Sequence, residues 1–146
     1  KTAGIYIATQ VGAGICAAVA YCGLFLDTFN LSPAKGFGFV HAGLCEMLYT
    51  FMLCFVVLNA AVAKQTMYYG LAIGYVIVAG AYGAGAVSGG CFNPAVAIGI
   101  DISSAGLGFG WCFLYVVFEL LGAAMAAVAF KIVRPSAFGG SADPGL

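Results

Sequence analysis

The chain has 146 residues, of which 64% are hydrophobic and 7% charged, with five basic and five acidic side chains and no net charge. Soluble domains carry about 25% charged residues, and a water-soluble globule of this size has too little interior to hide so much apolar surface. These numbers exclude a soluble enzyme and a disordered chain, and the lack of a basic patch excludes a nucleic-acid partner. A mean hydropathy of +1.09 makes the lipid bilayer the main surroundings.

A helix that crosses a hydrocarbon core of roughly 30 Å needs about 20 apolar residues. Runs of that length predict four spans, at residues 5–26, 39–63, 67–87 and 107–133, in a single domain over residues 1–146. Residues 27–38, with Asn30, Ser32, Pro33 and Lys35, read as a solvated loop, and Lys64, Gln65 and Thr66 as a tight polar turn. Residues 88–102 are too apolar for a plain aqueous loop and too short and Gly-broken for a span. Within them Pro94 suits a first helical position and Asn93 an N-cap, which predicts a re-entrant half-helix up to about Asp101. Broken backbone at membrane depth is tolerated only where protein buries it or a wet cavity borders it. The tail is residues 134–146, of which Ser136 to Leu146 read as mobile.

Lys1, Lys64, Lys131 and Arg134 fall on the side of both termini and only Lys35 on the other, which predicts cytoplasmic termini for this segment. The 22 Gly group with Ala and Cys into small-residue faces. Ala8, Gly12, Ala13, Cys16 and Ala17 lie in the first span, Gly70, Gly74, Gly80, Gly83 and Gly85 in the third, and Gly122, Ala123, Ala126 and Ala127 in the fourth. Such faces let helix backbones approach closely. The six Cys sit mostly in apolar runs without a C-x-x-C pair, so they read as small buried hydrophobes. With a single His and no zinc or haem spacing, neither a metal nor a cofactor is expected.

The stretch from Ser88 to Val96 carries the chemistry. A half-helix that starts at mid-membrane leaves its first N–H groups unsatisfied there, at the positive end of its dipole. Asn93 adds a side-chain NH2 donor, and the carbonyls of Gly89, Gly90 and Cys91 can line a polar track. A few donors and acceptors on an apolar wall suit a neutral small solute, and the positive end disfavours cations. Asn93 also has the plainer reading of an N-cap, which needs only its oxygen.

Ser88-Gly-Gly-Cys-Phe-Asn-Pro-Ala95 resembles the second N-P-A signature of the aquaporin (major intrinsic protein) family. Four further features stand in the family's order. Tyr6-Ile-Ala-Thr-Gln10 is similar to its third helix, Glu46-Met-Leu-Tyr-Thr-Phe51 to its fourth, Leu71-Ala-Ile-Gly74 to its fifth, and Leu121-Gly-Ala-Ala-Met125 with Arg134-Pro135 to its sixth and the exit from it. The resemblance implies an all-α helical bundle with four spans and one half-helix here, where a complete pore has six spans and two half-helices related as inverted repeats. It implies Asn93, Pro94 and Ala95 at the pore, Glu46 and Gln10 bracing the loop, and a selectivity filter at Ala81, Gly90 and Val96. It also implies a homotetramer that passes water or glycerol-type solutes without catalytic residues.

The departures matter equally. Val96 stands where the second signature is normally followed by Arg, and small apolar groups at all three filter positions predict a wide constriction. Only one N-P-A is present, so an aquaporin-derived, non-conducting subunit packed in a larger membrane complex is the alternative. An enzyme or proton carrier built on Glu46, Glu119 and His41 is the weakest reading, since nothing in the sequence places them together. Glu119 has no assigned role, and His41 reads as an interfacial residue.

Overall fold

The computed structural model describes residues 1–62, 67–135 and 137. Helix α1 is Thr2–Phe25, α2 is Phe39–Val57, α3 is Tyr69–Ser88, α4 is Pro94–Ser103 and α5 is Trp111–Val133. No strand occurs among the described residues, and the chain is an all-α bundle. Among the described residues, four helices are long and apolar enough to cross a membrane: Thr2–Phe25, Phe39–Ala60, Tyr69–Ser88 and Trp111–Val133. The polar turn at residues 64–66, the end of the 39–63 run and nearly all of the tail lie outside the described residues.

The ends of the helices have local causes. Helix α1 stops where Leu26 turns left-handed (φ 51) and donates its N–H to Cys22. Helix α2 begins with the Gly38 N–H on His41 Nδ1 at 3.2 Å, so the single histidine closes a helix end. After Val57 the chain widens into one π turn, Leu58–Val62. There the Asn59 amide donates to the Phe55 carbonyl and draws it toward the side chain. The apolar run at Leu107 belongs to a 3-10 turn, Ala105–Leu107, and α5 begins only at Trp111. Asp101 sets that start. Its Oδ2 accepts the Gly110 N–H at 2.8 Å and the Cys112 N–H at 3.2 Å, while Gly108 and Gly110 hold positive φ. Asp101 is therefore a fully buried clamp between α4 and α5, not a solvated charge.

Helix α2 is the centre of the bundle, packed on α5 and on α3, while α1 leans mainly on α4. The apolar window of α1 is 0% buried within the chain, so its outer face is available to lipid or to further protein. Close approach depends on particular glycines. A Cβ on Gly14 would collide with the Ala95 carbonyl, and one on Gly99 with the Gly14 carbonyl, so α1 and α4 touch backbone to backbone. Gly122 of α5 meets the Met47 carbonyl of α2 in the same way. Gly12, Gly70, Gly74 and Gly85, grouped with the packing faces on sequence grounds, meet nothing within 4 Å. In α1 the contact lies at Gly14, round the helix from Gly12.

Gly122→Val forces a side chain into the Met47 carbonyl and is expected to destabilise the bundle by about 1–3 kcal/mol, as overpacking does. Gly74→Val, on an open face, serves as the matched control in thermal unfolding in detergent. Equal melting of the two variants would refute the close-packing account.

Candidate functional site: a braced re-entrant loop above a cleft

Helix α4 has 10 residues. At 1.5 Å per residue it is about 15 Å long, half of a hydrocarbon core. Pro94 fixes its first turn, and Asn93, extended at φ −153, caps it. Asn93 Oδ1 accepts the Ala95 N–H at 3.0 Å, and the Asn93 carbonyl accepts the Ala97 N–H and the Cys91 thiol. Its Nδ2 group has no partner among the described residues and remains available as a donor.

The chain reaches Asn93 through a strained bend. Gly89, Gly90 and Phe92 have φ of 89, 71 and 54. The two glycines adopt this region freely, but at Phe92 it costs of order 1–3 kcal/mol and needs outside support. That support comes from Glu46 of α2, which is fully buried. Its Oε1 accepts the Ser88 hydroxyl at 2.6 Å and the Cys91 N–H at 3.0 Å, and its Oε2 accepts the Phe92 N–H at 2.6 Å. The Phe92 ring is 4% exposed, lies 5.5 Å from the Tyr49 ring, and sits where a Cβ on Gly80 would be. Tyr115 of α5 donates its hydroxyl to the Ser88 carbonyl, and Ser88 Oγ in turn accepts the Gly90 N–H.

Glu119 completes the brace. It is fully buried on α5, and its Oε1 accepts the Asn93 N–H at 2.9 Å. The sequence left this residue without a role, yet a signal was present. A carboxylate inside a span is costly unless donors surround it. Tyr115, Glu119, Gly122 and Ala126 also recur at helical spacing, and all four are buried on one face of α5. Gln10, grouped with the bracing residues by resemblance, is exposed and makes no hydrogen bond with the described residues.

Asn93, Pro94 and Glu119 line a cleft of about 630 Å³ together with residues of α2, α3 and α5 and with Gln10 of α1. The walls are mostly apolar, from residues such as Ile77 and Ala123. Thr50, 2% exposed, adds a hydroxyl without a partner among the described residues, a polar mark that sequence reasoning did not single out. The carbonyls of Gly89, Gly90 and Cys91 accept no hydrogen bond from the described residues. Of the three filter positions, Ala81 and Gly90 come together, since a Cβ on Gly90 would lie 3.5 Å from the Ala81 Cα. Val96, 39% exposed, instead lines a separate recess of about 200 Å³ with Gly14, Tyr21, Phe29 and Ile100.

Comparisons with known proteins agree with this architecture. The family model described as major intrinsic protein matches residues 1–130. The chain is 34% identical over 136 residues to Aquaporin-2 of Botryotinia fuckeliana, a match covering 89% of this chain and 35% of that protein. It is 34% identical over 119 residues to Aquaporin TIP1-2 of Zea mays, covering 79% of this chain and 45% of that protein. Against the Glycerol uptake facilitator protein-like 6 of Lactiplantibacillus plantarum it is 38% identical over 90 residues, covering 60% of this chain and 41% of that protein. The chain thus spans less than half the length of each of these three relatives. An integral, multi-pass helical architecture and a match over nearly the whole chain together establish that this protein belongs to the major intrinsic protein family.

Proposed function

We propose that the chain supplies part of a membrane channel that passes water and small neutral solutes of the glycerol type down their gradients. The observation that carries this reading is Asn93. Its oxygen is committed to the cap of α4 while its NH2 group is left as a donor on a residue that lines an apolar cleft. In this reading the free carbonyls of Gly89, Gly90 and Cys91 accept from the same solute on the other side of Asn93. Ala81 and Gly90 set the width of the constriction, and Val96, which within this chain lines the separate recess beside α1, is assigned to it by resemblance alone. Glu46 and Glu119 hold the loop, and no bond is made or broken. The names of the relatives, aquaporins and a glycerol uptake facilitator, support the same substrate class. The assembly we propose is a homotetramer of a single aquaporin-like domain in the bilayer, with the termini of this segment on the cytoplasmic side.

Stopped-flow swelling of proteoliposomes carrying the full-length protein tests the function. Glycerol entry well above that of empty liposomes is the expected result. Entry no faster than empty liposomes, for glycerol and water alike, would return the reading to a packing subunit.

Val96→Arg tests the filter. A guanidinium introduces a fixed charge and five donors where the wild type has a small apolar group. Glycerol flux is expected to fall at least about tenfold, equivalent to about 1.4 kcal/mol of barrier, with water flux less affected. Unchanged glycerol flux would remove Val96 from the constriction.

A further inference from the structure

The loop brace places two carboxylates and a thiol at one point. Ligand atoms of Glu46, Cys91 and Glu119 all lie within 4.8 Å of one another. Both glutamates are fully buried. Glu119 uses only Oε1 for Asn93, and its Oε2 is buried without a hydrogen-bond partner. No Lys or Arg occurs in residues 36–63 or 67–130, so no basic side chain of those stretches offsets the two acids. A buried carboxylate oxygen without a donor is costly, and a second carboxylate beside it adds to that cost.

We propose that Glu46, Cys91 and Glu119 form a binding site for one thiophilic divalent cation of the Zn2+ class, beside the cleft that Glu119 lines. The donor set is mixed oxygen and sulfur, which suits borderline-soft ions such as Zn2+ over Mg2+ or Ca2+. Bond lengths of about 2.0–2.2 Å to oxygen and 2.3 Å to sulfur require the three atoms to draw in by about an ångström. On binding, the Cys91 thiol releases its proton to solvent water and gives up its hydrogen bond to the Asn93 carbonyl as the thiolate sulfur bonds to the metal, and the orphaned Glu119 oxygen gains a partner. The ion would tie α2, the loop and α5 together directly beneath Asn93. Glu119 borders the cleft. The three ligands stand far apart in the chain, so no metal-ligand spacing marks them in the sequence.

The test uses Cd2+, whose thiolate complexes absorb in the ultraviolet through sulfur-to-metal charge transfer, titrated into the purified full-length protein in detergent. Conduction is not part of the readout, so this inference and the channel reading fail separately. The expected result is saturable binding of one ion per chain that Zn2+ displaces. Cys91→Ser and Glu119→Gln should each weaken it at least about tenfold, while Cys54→Ser, on the cleft wall but outside the cluster, leaves it unchanged. Glu119→Gln keeps an acceptor for the Asn93 N–H, and circular dichroism checks its fold. Should that variant unfold, Cys91→Ser alone carries the test. Absence of saturable binding overturns the proposal, as does binding that follows Cys54 and ignores Cys91. An infrared carboxylic-acid band that is lost in Glu119→Gln but unmoved by Cd2+ would place a proton there and also overturn it.

Discussion

Replacing Glu46 with Leu is expected to destabilise the protein by about 2–6 kcal/mol and to abolish solute flux. Leu removes the acceptor of the Cys91 and Phe92 N–H groups at once. Each buried donor left unsatisfied costs about 1–3 kcal/mol. The Ser88 hydroxyl loses Glu46 as well, although it retains the Ala84 carbonyl at 3.3 Å. The larger consequence is geometric. Phe92 holds a left-handed φ of 54 only because its N–H is bound and its ring is wedged between Tyr49 and Gly80. Freed from Glu46, the backbone relaxes toward ordinary φ, and Asn93 and its carbonyl track move with it. Glu46→Gln separates charge from acceptor. One amide oxygen still serves one N–H, but the amide NH2 then confronts the other, so the loss should fall near half that of Leu. Thermal unfolding in detergent orders the three proteins as wild type, Gln, Leu. A Leu variant that melts with the wild type would overturn the bracing role.

The fold class was legible because lipid simplifies the problem. Each span must be long, apolar and internally hydrogen-bonded, so runs of composition nearly define the helices. The half-helix was legible for a local reason, since the cap and the first helical residue are adjacent at Asn93 and Pro94. What was not legible depends on partners distant in sequence. The start of α5 at Trp111 is set by Asp101, and hydropathy alone runs the helix back to Leu107. The role of Glu119 appears only when α5 is laid beside a loop 26 residues earlier. Gly12 and Gly14 are indistinguishable by composition, and only the crossing of α1 over α4 selects Gly14. The separation of Val96 from Ala81 and Gly90 likewise follows from the turn of α4, which carries its third residue toward α1.

Asn93→Ser separates the two uses of one side chain. Serine is about as good an N-cap as asparagine, and its oxygen can still accept the Ala95 N–H. The Asn93 N–H and carbonyl, which bind Glu119 and Ala97, are backbone groups and survive the change. Stability should therefore fall by no more than about 1 kcal/mol. Flux should not be spared. The NH2 group disappears, and the one hydroxyl left is shorter and already engaged at the cap. In the channel reading a solute that enters the cleft must shed water, and a lost donor on the cleft wall costs it about 1–3 kcal/mol. A reduction of about tenfold in swelling rate is expected, since 1.4 kcal/mol corresponds to tenfold. Melting temperature and stopped-flow rate measured on the same preparation decide between the roles. Loss of both together would mean that Asn93 acts through the fold alone. Loss of neither would mean that the donor plays no part in passage. Loss of flux with a near-native melt identifies the amide NH2 as the group that meets the solute.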